Sequence, residues 1–399
     1  MDKPLRIARV SVFGIFGVNG FILALWVVHI PSILDRTGVS KASLGLLILL
    51  VAAGAIVGMQ LAGPLADRFG SRPLVAGSGA IVSASVIGPG LANNAVELGI
   101  ALVVLGFGNG ALDVSMNTQA VYVERAYGRP IMAAFHALFS CGGVAGALLG
   151  AATLAAGWDI RVSLLVGAVI GIVLAALFSA RLLPHVQPEH KPAATGAPKQ
   201  RPSSRVWALG AIAFCVLLCE GVANDWSALQ VKEDLGASDA TAALAFGAFS
   251  TLMTVGRFGA DRVAAAIGPV AVVRYGTFVA ALGMGMVVTS GWIGLTLAGW
   301  ALFGLGLAGA VPQIFTAAGN LSKDGAGVNM SRVFGMGYLA FLAGPSLIGW
   351  LTKVIPLTTA MLVPFVAVLI AGVFAGVVRP HDAQGPLSAV SDGKRAVAK

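Results

Sequence analysis

A chain of 399 residues, 57% hydrophobic and only 11% charged, with a mean hydropathy of +0.88, excludes an ordinary soluble domain, in which about a quarter of residues are charged. The net charge of +9 comes from basic residues that form no aromatic-interleaved stripe, so no nucleic-acid partner is expected. The three cysteines, Cys141, Cys215 and Cys219, have neither metal nor redox spacing and read as small apolar fillers.

The apolar residues gather into twelve runs, each about long enough to cross a ~30 Å hydrocarbon core as a helix. In chain order the predicted spans are 7–33, 42–62, 74–91, 95–120, 131–155, 162–181, 206–229, 238–256, 270–289, 292–317, 333–352 and 357–378. Lys3, Arg6 and Arg9 ahead of the first run imitate a secretory leader, but the run continues without an Ala-x-Ala cleavage site and reads as a span. All basic residues except Arg36, Lys41, Arg161, Lys232 and Lys353 fall on one side of this arrangement. Since Lys and Arg are retained in the cytoplasm, the expectation is a multi-pass protein of the cell (inner) membrane with both termini cytoplasmic.

Residues 184–205 carry five prolines and several Lys and Arg, a composition that packs no core. They divide the chain into 1–183, with six spans, and 206–378, with six more, followed by a polar tail at 379–399. The halves echo each other. Ala-Asp-Arg at 66–68 returns at 260–262, Gly106-x-Gly108 returns as Gly304-x-Gly306, and Ala147-Leu-Leu-Gly150 returns as Ser346-Leu-Ile-Gly349. The near-constant offset predicts an all-α integral membrane fold of two pseudo-symmetric six-helix bundles with a solute site between them.

The segment Gly63-Pro-Leu-Ala-Asp67-Arg68-Phe-Gly70-Ser-Arg72 resembles the signature loop after the second helix of the major facilitator superfamily. The motif Gly106-x-Gly108-x-x-x-x-Asp113-x-x-x-Asn117 is similar to the fucose permease branch, where an acid at this place is implicated in proton coupling. The resemblance implies twelve helices that alternate access by rocking. It also implies a conformational gate in the inner loops, formed by Gly63, Asp67, Arg68, Gly70 and Arg72 with the repeat pair Asp261 and Arg262. This chain lacks the helix-1 carboxylate of fucose permease, having none between Asp2 and Asp35.

Ionisable groups at membrane depth are functional candidates because inserting them costs at least about 2.5 kcal/mol. Asp113, with Asn109 and Asn117 one turn to either side, forms a stripe expected to face the cavity. Glu220, with Asn224, Asp225 and Trp226 beyond it, is the densest polar group in any span, and Gly221 would ease a local break there. Proton coupling is assigned to Asp113, Glu220 and His136. Substrate contact is assigned to Asn19, Trp26, Asn109, Asn117, Glu220, Asn224, Asp225, Trp226, Gln313 and Tyr338.

Gly304-x-Gly306-x-x-Gly309 imitates a dinucleotide fingerprint but lies inside a span with no preceding strand. No cofactor, metal site, phosphate loop or catalytic constellation is read from the sequence, so an enzyme is not expected. Gradient-driven transport of a small polar, sugar-like solute is the reading, by proton symport or by proton-coupled efflux of amphipathic or cationic compounds. The expected partners are a small solute, protons and the bilayer, and a monomer is expected.

Overall fold

The computed structural model describes residues 3–39, 41–184, 203–321 and 326–380, and these are helical throughout, with no strand among them. A chain in lipid must satisfy its backbone polar groups internally, and helices do so segment by segment. Most of the expected linker and tail, residues 185–202 and 381–399, lies outside the described residues.

In chain order the first half contains α1 (Lys3–Val28), α2 (Ile30–Thr37), α3 (Lys41–Phe69), α4 (Ser71–Ser85), α5 (Ile87–Leu91), α6 (Ala95–Tyr127), α7 (Met132–Ala155) and α8 (Ile160–Ser179). The second half contains α9 (Ser204–Leu235), α10 (Asp239–Ile267), α11 (Pro269–Thr289), α12 (Ile293–Leu307), α13 (Ala310–Gly319), α14 (Ala326–Leu351), α15 (Leu357–Ala360), α16 (Leu362–Val373) and a terminal 3₁₀ turn, Ala375–Val378. Among the described residues ten helical stretches are long and apolar enough to cross a membrane. The charged helix α10 and the shorter apolar stretch Leu357–Val373 complete twelve spans.

Several spans outrun their apolar runs. Helix α6 continues to Tyr127, α9 to Leu235 and α10 to Ile267, because hydropathy ends where water begins whereas backbone hydrogen bonding does not. What ends them is glycine. Gly70 and Gly268 hold φ of 89° and 81°, a region costly for any residue with a Cβ. They turn α3 into α4 and α10 into α11 within a single residue. Helix starts are set by capping: Asn94 accepts from the N–H groups of Val96 and Glu97, and Ser203 from that of Val206.

The echoed glycines are packing devices. An ideal Cβ on Gly106 would lie 1.8 Å from the Val51 carbonyl oxygen of α3, and one on Gly304 would lie 2.1 Å from that of Phe249 on α10. Small residues let membrane helices approach backbone to backbone. The same explanation covers Gly306, which faces the backbone of Gly276 and Ala280, so the apparent dinucleotide fingerprint is a helix seam. The expected break beside Glu220 is absent: α9 runs unbroken through Gly221, whose missing side chain admits the Phe341 carbonyl oxygen, 2.6 Å from an ideal Cβ.

The end of the bundle where Arg9 and Arg129 lie near Asp261 and Arg125 reaches Asn320 is called the basic end here.

Candidate functional site

At the basic end two aspartates bind the halves together through helix N-termini. Asp67, in the last turn of α3, accepts the N–H groups of Gly327 and Val328 at 2.8 and 3.0 Å, the first turn of α14. Asp261, on α10, accepts those of Ala133 and Ala134 at 2.8 and 2.7 Å, the first turn of α7. Unsatisfied donors and the positive end of the helix dipole favour a carboxylate there. Arg9 and Arg129 of the first half also act electrostatically on Asp261. Next to Asp67, Gly63 faces Ser331 Oγ and the Gly327 carbonyl, 2.6 and 2.7 Å from an ideal Cβ.

Other members of the expected gate stay within their own half. Arg72 donates to the Ala180 carbonyl at 2.6 Å, capping the end of α8, and Arg68 lies over the ring of its neighbour Phe69, 5.1 Å from the centroid. Arg262 is exposed, and Gly70 supplies the α3–α4 turn. The placement in loops is corrected too: Asp67, Arg68, Asp261 and Arg262 all belong to helices.

Glu124 is a closure residue that sequence reasoning missed. It is 8% exposed. One oxygen accepts the N–H groups of Ile131 and Met132 at 2.8 Å each, and the other accepts the Thr316 hydroxyl of the second half at 2.8 Å. The signal was available: an acid in the last turn of α6 opposes the helix dipole, so something else must hold it. Its neighbour Arg125 donates across the halves to Gly319 and Asn320.

Deeper in the bundle, α6 places Asp113 about fourteen residues from its basic end, roughly 21 Å at 1.5 Å per residue. Asp113 is 9% exposed. Its Oδ1 accepts from Asn117 Nδ2 at 3.0 Å, and its Oδ2 accepts from the Tyr338 hydroxyl of α14 at 3.1 Å. Asn109 lies beside Tyr338. Asp113 thus reaches the other half through a residue 225 positions away.

Glu220 on α9 meets Arg257 of α10, with Nη2 to Oε1 at 3.4 Å. Nη1 of Arg257 donates to Ser140 Oγ of α7 at 3.3 Å. The structure buries Arg257 inside α10, one turn before Asp261. His136 lies one turn from Ser140, its Nδ1 3.1 Å from the Met132 carbonyl and its ring against Phe16 and Phe315. Asn19 and Gln313 are buried at 2% and 3% exposure. Trp26 is buried in the apolar core, and Trp226 packs on Gly349, 3.2 Å from its ideal Cβ. Asn224 and Asp225 are exposed further along α9.

A helical membrane protein of two bundles, closed at one end by paired aspartate caps and carrying buried acids between the bundles, has the architecture of a carrier. The chain belongs to the major facilitator superfamily, whose family model matches residues 10–223 and 209–398. It is 32% identical over 350 residues to an uncharacterised MFS-type transporter of Yersinia pestis, covering 86% of this chain and 89% of that one. It is also 32% identical over 366 residues to membrane protein MosC of Rhizobium meliloti, covering 90% and 87%. Among solved structures, FucP in its outward conformation superposes with a TM-score of 0.78 at 13% identity, covering 95% of this chain and all of that one. The human organic anion transporter TETRAN superposes with 0.76 at 15% identity, covering 94% and 100%. At such identities the likeness concerns the fold.

Proposed function

We propose that this carrier moves a small polar solute across the cell inner membrane by alternating access, as a monomer, coupled to protons through Asp113 or Glu220. The observation that carries the reading is the Asp113–Tyr338 hydrogen bond. A carboxyl group is buried at mid-span, two neutral donors hydrogen-bond it, and one of them belongs to the other half. A charge there is expensive without a cation or a proton to complete it. Rocking the halves apart breaks the contact with Tyr338, so the proton on Asp113 and the position of the bundles bias each other.

The basic end is cytoplasmic by the charge rule, and Asp67, Glu124 and Asp261 close it. Closure at that end is what an outward-facing state requires. Amides at Asn19, Asn109 and Asn117 with the carboxyl groups suit a hydroxyl-bearing ligand.

The test begins with a thermal-shift screen of the purified chain over sugars, organic acids, amino acids and cationic drugs, since a ligand of the native state raises its stability. With a hit in hand, proteoliposomes report solute-driven proton flux. Asp113→Asn or Glu220→Gln should lower that flux at least about tenfold, the scale of one lost charge-assisted interaction. Flux unchanged in both variants defeats the coupling assignment. Efflux by antiport would use the same acids, and the direction of proton movement separates it from symport.

A further inference from the structure

Arg257 holds more hydrogen-bonding capacity than its neighbours use. The residue is 9% exposed, and a guanidinium presents five donors in a planar fork suited to a pair of oxygens. Its ion pair with Glu220 spans 3.4 Å, long against about 2.7–2.9 Å for a charge-assisted bond. The contact with Ser140 is 3.3 Å. The buried Nε has no partner at all. Of the two side chains in the pair Glu220 is the more exposed, 20% against 11%, so it is the one free to turn aside.

Other buried atoms, all in the first half, are incomplete in the complementary sense. Oδ1 of Asn19, of Asn109 and of Asn117 is buried without a partner. Bare acceptors call for hydroxyl hydrogens, whereas a cationic fork with spare donors calls for a carboxylate.

We propose that Arg257 anchors the carboxylate of the transported solute, which displaces Glu220 from the guanidinium, and that the solute is a small polyhydroxylated carboxylic acid whose hydroxyls meet the asparagine oxygens. The assignment rests on the transporter reading above and narrows it. Bidentate binding satisfies the fork, and the freed Glu220 carboxylate becomes a site for a co-transported proton. The solute and Glu220 compete for one cation.

That competition fixes the sign of the decisive result. The full chain, purified in detergent, is titrated by calorimetry with D-gluconate, with D-sorbitol as the uncharged match and D-glucosamine as the cationic one. Gluconate is expected to bind at least about tenfold more tightly than sorbitol, and Arg257→Lys, which keeps the charge and loses the fork, to weaken gluconate by a similar factor. Glu220→Gln is expected to strengthen gluconate binding. This variant and Arg257→Lys keep the test decisive should Arg257→Gln fail to fold.

The inference is overturned if gluconate does not bind the wild type, if Arg257→Lys binds it unchanged, or if Glu220→Gln weakens it. Sorbitol or glucosamine that is bound and transported equally by Arg257→Lys would overturn it too, while leaving the carrier reading intact. Loss of the coupling assignment, by contrast, would show as retained proton flux in Asp113→Asn and Glu220→Gln, with gluconate still weakened by Arg257→Lys and strengthened by Glu220→Gln.

Discussion

Asp67→Asn combined with Asp261→Asn should open the basic end. Each aspartate accepts two backbone N–H groups at the start of a helix in the opposite half. Such charge-assisted bonds contribute about 1.5–3 kcal/mol net, and the helix dipole adds roughly 0.3–1 kcal/mol. Asparagine keeps one neutral acceptor, so each substitution should cost the closed state about 1.5–3 kcal/mol. The two sites lie on different seams, α3 with α14 and α10 with α7, and their effects should nearly add. The closed-to-open ratio should then fall by about 10²–10⁴-fold. Spin labels at the exposed positions Ala126 and Ala266, in a background lacking Cys141, Cys215 and Cys219, would report this as a longer inter-label distance by electron double resonance. A distribution identical to that of the parent would show that the caps do not hold the end shut. Folding within each half should be unaffected, since neither aspartate bond lies inside a bundle.

How far these contacts could be read from the chain depends on their range. The spans were legible because lipid imposes a length on every apolar run, and the glycine echoes marked the halves because each bundle repeats the same close seam. Helix ends were misjudged wherever a polar segment stayed helical, and with them the placement of Asp67 and Asp261. The Asp113 stripe was visible as i and i+4 spacing on one helix, but its link to Tyr338 joins residues 225 apart, and no local pattern encodes that. Arg257 lies just outside the repeated Ala-Asp-Arg, so the repeat did not single it out. The fold puts Arg257 and Asp261, four apart, on one helix face toward α7, where one meets Ser140 and the other the helix start.

The repeat offset of 194 that pairs Asp67 with Asp261 also pairs Gly63 with Arg257. One seam closes by backbone contact and the other through a guanidinium, so the two should respond differently to a single added methyl group. At Gly63 a Cβ would stand 2.6 Å from Ser331 Oγ and 2.7 Å from the Gly327 carbonyl oxygen, across the halves; at Gly142 it would stand 1.9 Å from the Gly17 carbonyl oxygen, within the first half. Both distances force something to move, at about 1–3 kcal/mol for overpacking of this kind. Gly142→Ala must pay that in every conformation, so it should lower the melting temperature by several degrees without favouring either state. Gly63→Ala meets its clash only when the basic end is shut. It should leave the melting temperature nearly unchanged while lowering the closed-to-open ratio about 5- to 150-fold, read from the same pair of labels. Adding Ser331→Gly removes the nearer obstacle but not the Gly327 carbonyl, so rescue should be partial. If Gly63→Ala instead melted early with its label distance unchanged, the close approach of α3 to α14 would be a fold contact common to both states, and the closure would have to rest on side chains, the aspartates, Glu124, Arg125 and Arg257 among them.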